Sequence, residues 1–235
     1  CAMKALVVIP TYNEAENIVE MVQAIRALET THTIDILVVD SNSPEGTGRR
    51  LEEMKAQVPG LFVFHQPRKL GLGRAYLDGF HYLFEQFPGR YDAVLTMDAD
   101  FSHNPRYLPV VLGKLEQCDV VVGSRYIDGG RLDNWPQRRK WPSRFANGYA
   151  KVLAGVDLND LTSGFHCFRV AALEKVLQHK ISAEGYAFLI ELKVFANAEG
   201  FRIEEVPIVF ADRTKGDSKI SKKVIFESAV VCWKI

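Results

Sequence analysis

Short apolar runs alternating with stretches of helical periodicity constrain this chain more than any other feature. ALVVIP (5–10), IDILVVD (34–40), LFVFHQ (61–66) and DAVLTMDAD (92–100) have strand length. Between them, EAENIVEMVQAIRAL (14–28), TGRRLEEMKAQV (47–58) and GRAYLDGFHYLFEQF (73–87) repeat apolar residues at helical spacing. The order is β-α-β-α-β-α-β, and CDVVVGSRY (118–126) adds a further strand. Runs of Val, Ile and Leu with no polar face belong to strands covered on both sides, so the chain reads as α/β, with a mostly parallel, doubly wound sheet flanked by helices. At 235 residues it is expected to hold one core.

The remainder is less regular. IDGGRLDNWPQRRKWPSR (127–144), with its Gly-Gly, prolines, tryptophans and arginines, reads as a mobile loop. AALEKVLQ (171–178), GYAFLIELKVFANAEG (185–200) and RIEEVPIVF (202–210) read as helix, helix and strand, followed by the basic loop DRTKGDSKISKK (212–223). The last stretch, KKVIFESAVVCWKI (222–235), is an amphipathic helix by pattern. It either packs on the domain, lies on a bilayer surface or is the stump of a longer membrane segment. No run reaches the roughly 18–20 apolar residues of a spanning helix, and no leader peptide is visible. The Cys-Ala start reads as a fragment boundary.

Composition narrows the function classes. A formal net charge of zero gives the whole molecule no attraction for nucleic acid. Cys1, Cys118, Cys167 and Cys232 form no CxxC pair, which argues against a zinc ribbon or redox motif and for free thiols in a reducing compartment.

Ligands of doubly wound sheets bind beyond the carboxyl ends of the strands. There the chain carries PTYNEAEN (10–17), DSNSPEGTG (40–48), PRKLGLG (67–73) and DADFSHNP (98–105). PTYNE after the first strand is not the glycine fingerprint of a dinucleotide site. Asp98 and Asp100 project to the same side if strand geometry persists through Ala99, and like charges held that close repel unless a cation lies between them. Hard carboxylate oxygens suit Mg²⁺ or Mn²⁺ bound together with substrate phosphate; a solvated turn ahead of Pro105 is the competing reading. Asp40 ends a second strand. Arg125 fits either a phosphate clamp or an ion pair with one of those acids. Tyr12, Asn13 and Glu14 suit a helix start, and His103 suits either a ligand or a locally bonded turn. Trp135 and Trp141, beside Arg138, Arg139 and Arg144, read equally as a cationic mouth for a lipid phosphate or as anchors of a loop.

Taken together, IPTYNEAENI (9–18), VVDSNSPEGT (38–47), LGLGRAYLDG (70–79), MDADFSHNP (97–105), GSRY (123–126), the W…RR…SR.AN pattern of 135–147, DLTSGF (160–165), GYAFLIEL (185–192) and VPIVFADRTKGDSKIS (206–221) resemble glycosyltransferase family 2. Within it they are similar to the polyprenol (dolichol) phosphate mannosyltransferases. The resemblance implies a GT-A (Rossmann-like) catalytic domain over 1–221 and a membrane-associating or truncated helix over 222–235. It implies an inverting enzyme that moves mannose from GDP-mannose to a dolichyl or undecaprenyl phosphate at the cytoplasmic face of a membrane, with a membrane-anchoring subunit or a missing C-terminal segment as further partner.

By position, the resemblance puts Pro10, Tyr12, Glu14, Asp40 and Ala99 at the nucleotide. Asp98, Asp100 and Ser102 go to a Mg²⁺ or Mn²⁺ ion, with Asp98, Asp100 and Arg125 catalytic. Arg125, Arg213 and Lys219 face the donor phosphates, and Arg139 and Ser143 the lipid phosphate. Ser41 and Glu45 replace aspartates of the family pattern D-D-x-S-x-D-G-T. His166 stands where Arg or Lys is common, which implies a weakened or pH-dependent acceptor contact. The competing functions are a UDP-glucose polyprenyl-phosphate glucosyltransferase and a non-catalytic nucleotide-sugar-binding membrane scaffold.

Overall fold

A computed structural model describes residues 1–133, 147–148, 151, 155–181, 185 and 187–211. Strands β1 (Lys4–Thr11), β2 (Thr33–Asp40), β3 (Leu61–His65) and β4 (Ala93–Thr96) alternate with helices α1 (Ala15–Arg26), α2 (Thr47–Lys55) and α3 (Leu72–Gln86), as the apolar pattern requires. After a 3₁₀ turn at Pro105–Tyr107 come α4 (Leu108–Leu115), β5 (Val120–Ser124), β6 (Arg131–Asp133), β7 (His166–Arg169), α5 (Val170–Val176), α6 (Ala187–Ala198), β8 (Ile203–Pro207) and β9 (Val209–Ala211).

The seven-stranded sheet runs β3-β2-β1-β4-β7-β5-β8. Strands β3, β2, β1 and β4 are mutually parallel, and β5 pairs parallel with β8, but β7 is antiparallel to both β4 and β5. The mostly parallel sheet therefore contains one reversed strand, HCFR, which lies in none of the apolar runs. The single strand expected over 202–210 is two, broken at Ile208, whose N–H donates to the Ser124 carbonyl (2.9 Å) while β9 departs to pair with β6. Residues 131–133 of the expected 127–144 loop are that strand β6.

Two apolar layers cover the sheet. Ile18, Met21, Val22 and Ile25 of α1 recur at helical spacing and pack with Ile9, Ile36 and Val38 and with Val111 and Leu112 of α4. On the other face Tyr76, Phe80 and Leu83 of α3 meet Leu6, Val8 and Leu37, together with Phe188 and Leu192 of α6. Tyr76, Phe80 and Phe188 stack with centroids 6.1–6.4 Å apart. Among the described residues no helix is long and apolar enough to cross a membrane.

α3 approaches the sheet closely at Gly79, where an added Cβ would lie 2.7 Å from Val8 Cγ1 and 3.1 Å from Val39 Cγ2. In an open helix Gly→Ala would stabilise; here overpacking reverses the sign. Gly79→Ala is expected to cost about 1–3 kcal/mol, read as a lower urea midpoint at unchanged m value.

Candidate active site

Strand order reverses at β1, whose neighbours β2 and β4 are reached by chain leaving in opposite directions; the crevice at the carboxyl ends of β1 and β4 is the topological switch point of the sheet. Three non-glycine residues carry positive φ, Asn13 at 55°, Asn42 at 57° and Phe101 at 60°, and they follow β1, β2 and β4 respectively. Left-handed backbone at three adjacent strand tips makes the turns of that edge tight, and it is least usual at Phe101.

At the β1 and β2 tips, the Ser43 hydroxyl donates to Asp40 Oδ1 (2.6 Å) and accepts from the Asn13 N–H (3.0 Å), tying the two turns together. Asp40 is buried and lies 3.8 Å from His65 Nδ1. Glu14 precedes α1 and accepts from Asn17 Nδ2 (2.7 Å), while Lys69 Nζ sits 3.9 Å from the centre of the Tyr12 ring. Pro10 is in β1, opposite Val39. Thr11 Oγ1, Asn13 Oδ1 and Thr47 Oγ1 are buried without a hydrogen-bond partner among the described residues. Thr11 closes β1, Asn13 follows it and Thr47 opens α2, so the orphaned atoms belong to the chain that leaves β1 and β2.

Ser41, the departure from the family pattern, is turned inward. Its hydroxyl donates to Gln66 Oε1 (2.8 Å), and the Gln66 amide donates to Asp78 Oδ2 (2.7 Å). A neutral buried chain occupies the place of a charge.

The aspartate motif does not continue the strand. β4 ends at Thr96, and Asp98 to Ser102 form a tight turn with Phe101 in the left-handed region. Asp100 is buried, and its Oδ1 accepts from both the N–H (3.1 Å) and the hydroxyl (2.6 Å) of Ser102, which orients the carboxylate. The Asp98 N–H donates to Nδ1 of buried His103 (3.1 Å), whose ring packs against Phe165 (5.4 Å) and Phe210 (5.3 Å). With Nδ1 used as acceptor, His103 supports the turn from behind. Among the described residues no group of three or more His, Cys, Asp or Glu gathers. The oriented Asp100 carboxylate and that of Asp98 two residues before it are hard oxygen donors of the kind that Mg²⁺ or Mn²⁺ uses with substrate phosphate, so the residues present fit such an ion.

Arg125 follows β5 and is committed inward. Its N–H and Nε donate to Asp160 Oδ2 (3.0 and 2.7 Å), and its Nη2 donates to Asp160 Oδ1 (2.7 Å) and Thr162 Oγ1 (2.8 Å). The ion pair foreseen with a strand-tip acid is thus a buried bidentate pair with an acid 35 residues away in sequence. Burial pushes Asp160 up, but the Arg125 charge and hydrogen bonds outweigh it and hold the carboxyl below its ordinary range. Among the described residues Nη1 keeps no hydrogen-bond partner. Arg139, Ser143, Arg213 and Lys219 lie outside the described residues, as do Trp135, Trp141 and the expected terminal helix.

Sequence reasoning missed two groups, Asp160 and Lys193, and misplaced a third, His166. Asp160 sits inside the quoted DLTSGF motif but was given no role of its own. Lys193, the one basic residue of α6 and two positions after the buried acid Glu191, is fully buried, and its Nζ donates to the Ser163 carbonyl (2.7 Å). His166 is not at an acceptor surface: it is buried in β7 between Thr96 and Val122, and neither ring nitrogen has a hydrogen-bond partner among the described residues. Burial, then the Lys193 charge, keeps its imidazole neutral, well below the usual histidine range.

Burial pushes Lys193 down to about 7 against an ordinary 10.5. Between those values the unfolded chain holds a proton that the folded chain lacks, so this group makes stability rise with pH from about 7 to 10.5. Below 7 the full cost stands, about 4–5 kcal/mol at 1.36 per pH unit, offset in a Met variant by about 1–3 kcal/mol for the unbonded Ser163 carbonyl. Lys193→Met is therefore expected to be more stable than wild type by about 2 kcal/mol at pH 7, with the advantage shrinking toward pH 10, as measured by urea denaturation across pH.

Comparison with known proteins agrees with this geometry. The model of the family Glycosyl transferase family 2 matches residues 6–177. An undecaprenyl-phosphate mannosyltransferase of Micrococcus luteus is 37% identical over 97% of this chain and 92% of its own. A polyprenol monophosphomannose synthase of Mycolicibacterium smegmatis is 40% identical over 96% of this chain and 84% of its own. Among solved structures, glucosyl-3-phosphoglycerate synthase from Mycobacterium tuberculosis shares the fold with TM-score 0.69 at 19% identity, over 98% of this chain and 78% of that one, in a complex with Mn²⁺, UDP and phosphoglyceric acid. The same enzyme with Mg²⁺ and UDP gives TM-score 0.69 at 19% identity, over 98% and 80% of the two chains. The chain belongs to glycosyltransferase family 2.

Proposed function

We propose that the chain is an inverting mannosyltransferase that moves mannose from GDP-mannose to a polyprenyl phosphate. The observation that carries the reading is the oriented Asp98–Asp100 turn at the switch point of the sheet, a site built for the diphosphate of a sugar nucleotide. The two bacterial relatives, whose names specify polyprenyl phosphate and mannose, narrow donor sugar and acceptor. GDP as the donor's nucleotide and the membrane surface as the workplace belong to this reading, as do a catalytic unit over 1–221 and a membrane-associating segment over 222–235.

The chemistry needs little from a base. A phosphate acceptor is already anionic near neutrality, unlike an alcohol, so no group has to remove its proton. One acceptor oxygen forms a bond to the anomeric carbon while the bond from that carbon to the donor's diphosphate breaks, its electron pair leaving with GDP and the configuration inverting. In this reading Asp98 and Asp100 hold a Mg²⁺ or Mn²⁺ ion, which when bound neutralises the diphosphate charge. Ser102 orients Asp100, and His103 fixes the Asp98 backbone. Tyr12, Glu14, Asp40, Pro10 and Ala99 enclose the nucleoside. Arg125 offers only Nη1 to the donor, since its other nitrogens hold Asp160 and Thr162, so its role is chiefly to shape the cleft. Arg213 and Lys219 add charge at the donor phosphates, Arg139 and Ser143 at the acceptor phosphate.

Asp100→Ala is expected to reduce transfer by at least about a thousandfold, the scale on which removing one group that stabilises developing charge acts. The assay follows radiolabelled mannose from GDP-mannose into a short polyprenyl phosphate in vesicles with Mg²⁺ or Mn²⁺, with UDP-glucose in parallel. Near-normal turnover by the variant with metal present would remove Asp100 from the site; preferential transfer from UDP-glucose would replace the donor.

A further inference from the structure

Lys193 is where the fold accepts a cost without an evident return in stability. Its side chain has no exposed surface and lies within the apolar layer of Leu189, Leu192 and Phe188. Its one hydrogen-bond partner among the described residues is a neutral carbonyl, that of Ser163. Burial pushes its pKa down and outweighs the charges of Asp160 and Glu205, which favour the ammonium, so an apolar side chain of the same length would pack there at less expense.

What the ammonium holds is the segment Asp160–Phe165. Asp160 grips Arg125 through three hydrogen bonds. Thr162 exchanges hydrogen bonds with Asn147, its N–H donating to Oδ1 (3.1 Å) and its hydroxyl accepting from Nδ2 (2.9 Å). The Gly164 carbonyl accepts from Thr96 Oγ1 (2.8 Å), and the Phe165 ring backs His103, which binds the Asp98 N–H. The segment thus touches the end of β5, Asn147 and the support of the aspartate turn. Two glycine positions show how tightly it is seated: a Cβ at Gly123 would lie 2.6 Å from Phe165 Cδ1, and one at Gly164 would lie 3.4 Å from both His103 Cε1 and Leu189 Cδ1. His166, the next side chain on the same layer, holds the segment by no hydrogen bond of its ring among the described residues.

We propose that Lys193 is a positioning residue for the transfer reaction: from α6 it pins the Ser163 carbonyl, and through the Asp160–Phe165 segment it fixes Arg125, Asn147 and the support of Asp98. The inference deepens the mannosyltransferase reading and rests on it for its kinetic arm only. Lys193 touches no substrate, so its removal disturbs alignment rather than donor binding. Misplacements of about an ångström at a distance from the chemistry cost up to about a hundredfold in rate.

The test uses the whole chain with Lys193→Met, and combines urea denaturation, steady-state kinetics and amide hydrogen exchange. The expected result is a variant at least as stable as wild type, with kcat lowered about tenfold or more, KM for GDP-mannose within about threefold, and amides of 160–165 exchanging about tenfold faster while those of β1 and β2 are unchanged. Unchanged kcat overturns the proposal, as does unchanged exchange of 160–165. A variant that is less stable and exchanges faster throughout also overturns it, because Lys193 is then ordinary scaffolding. If wild type transfers no mannose, the function reading fails by itself; the exchange pattern still decides whether Lys193 holds the segment.

Discussion

The site depends on one constraint, that β2, β1 and β4 lie side by side and parallel, so three chain segments leave the sheet at a single edge. Parallel strands need helical crossovers, and α1, α2 and α3 supply them while sealing both faces with apolar residues. With the faces sealed, polar groups at the carboxyl edge have only one another and a ligand to answer to. The positive φ values at Asn13, Asn42 and Phe101 follow from the same crowding, because each turn must leave the sheet at once without entering its neighbour.

Much of this was legible in the sequence, for physical reasons that also mark where legibility stops. A strand covered on both sides must be apolar at every position, so ALVVIP and IDILVVD declare themselves, and helices against such a sheet must show the 3.6-residue period. β7 breaks that logic. Its four residues include His166 and Arg169, and it is held by neighbours far away in sequence, Thr96 on one side and Val122 on the other. Strands β6 and β9 are three residues each, below the length at which periodicity has meaning. At the site, residue types were readable and partners were not. Asp98 and Asp100 announced a cation site, but their turn depends on Phe101 in a conformation no side-chain pattern encodes. Arg125 announced an anion partner, while the 35-residue separation to Asp160 is set by tertiary folding alone.

The departures from the family pattern become intelligible as charge placement. Ser41 and Gln66 form a neutral link to Asp78, which is answered by Arg74 Nε at 2.7 Å, so the β2 tip loses an acid without gaining an unpaired group. His166 is neutral and silent inside the sheet. The nearby buried cation comes instead from α6, at Lys193, whose Nζ donates to the Ser163 carbonyl. A fold can relocate a charge between elements when both positions face the same polar segment, and only the position of that segment is then preserved.

Electrostatics finally assigns work to parts of the chain beyond the strand tips. Glu14, Asp40, Asp98 and Asp100 make the carboxyl edge acidic, and Arg125, a buried cation that follows β5, is largely neutralised by Asp160. An acidic edge repels a nucleoside diphosphate and a lipid phosphate alike. In the proposed reaction the compensating charge has two sources: a divalent ion between the aspartates, and the basic stretches of the sequence, Arg138, Arg139, Lys140 and Arg144 in one and Arg213, Lys215 and Lys219 in the other. In that reading, an ion that arrives with the donor makes the charge of the site depend on whether donor is bound. The same ion would lower the repulsion met by the acceptor phosphate, so the two polyanions would bind better together than apart.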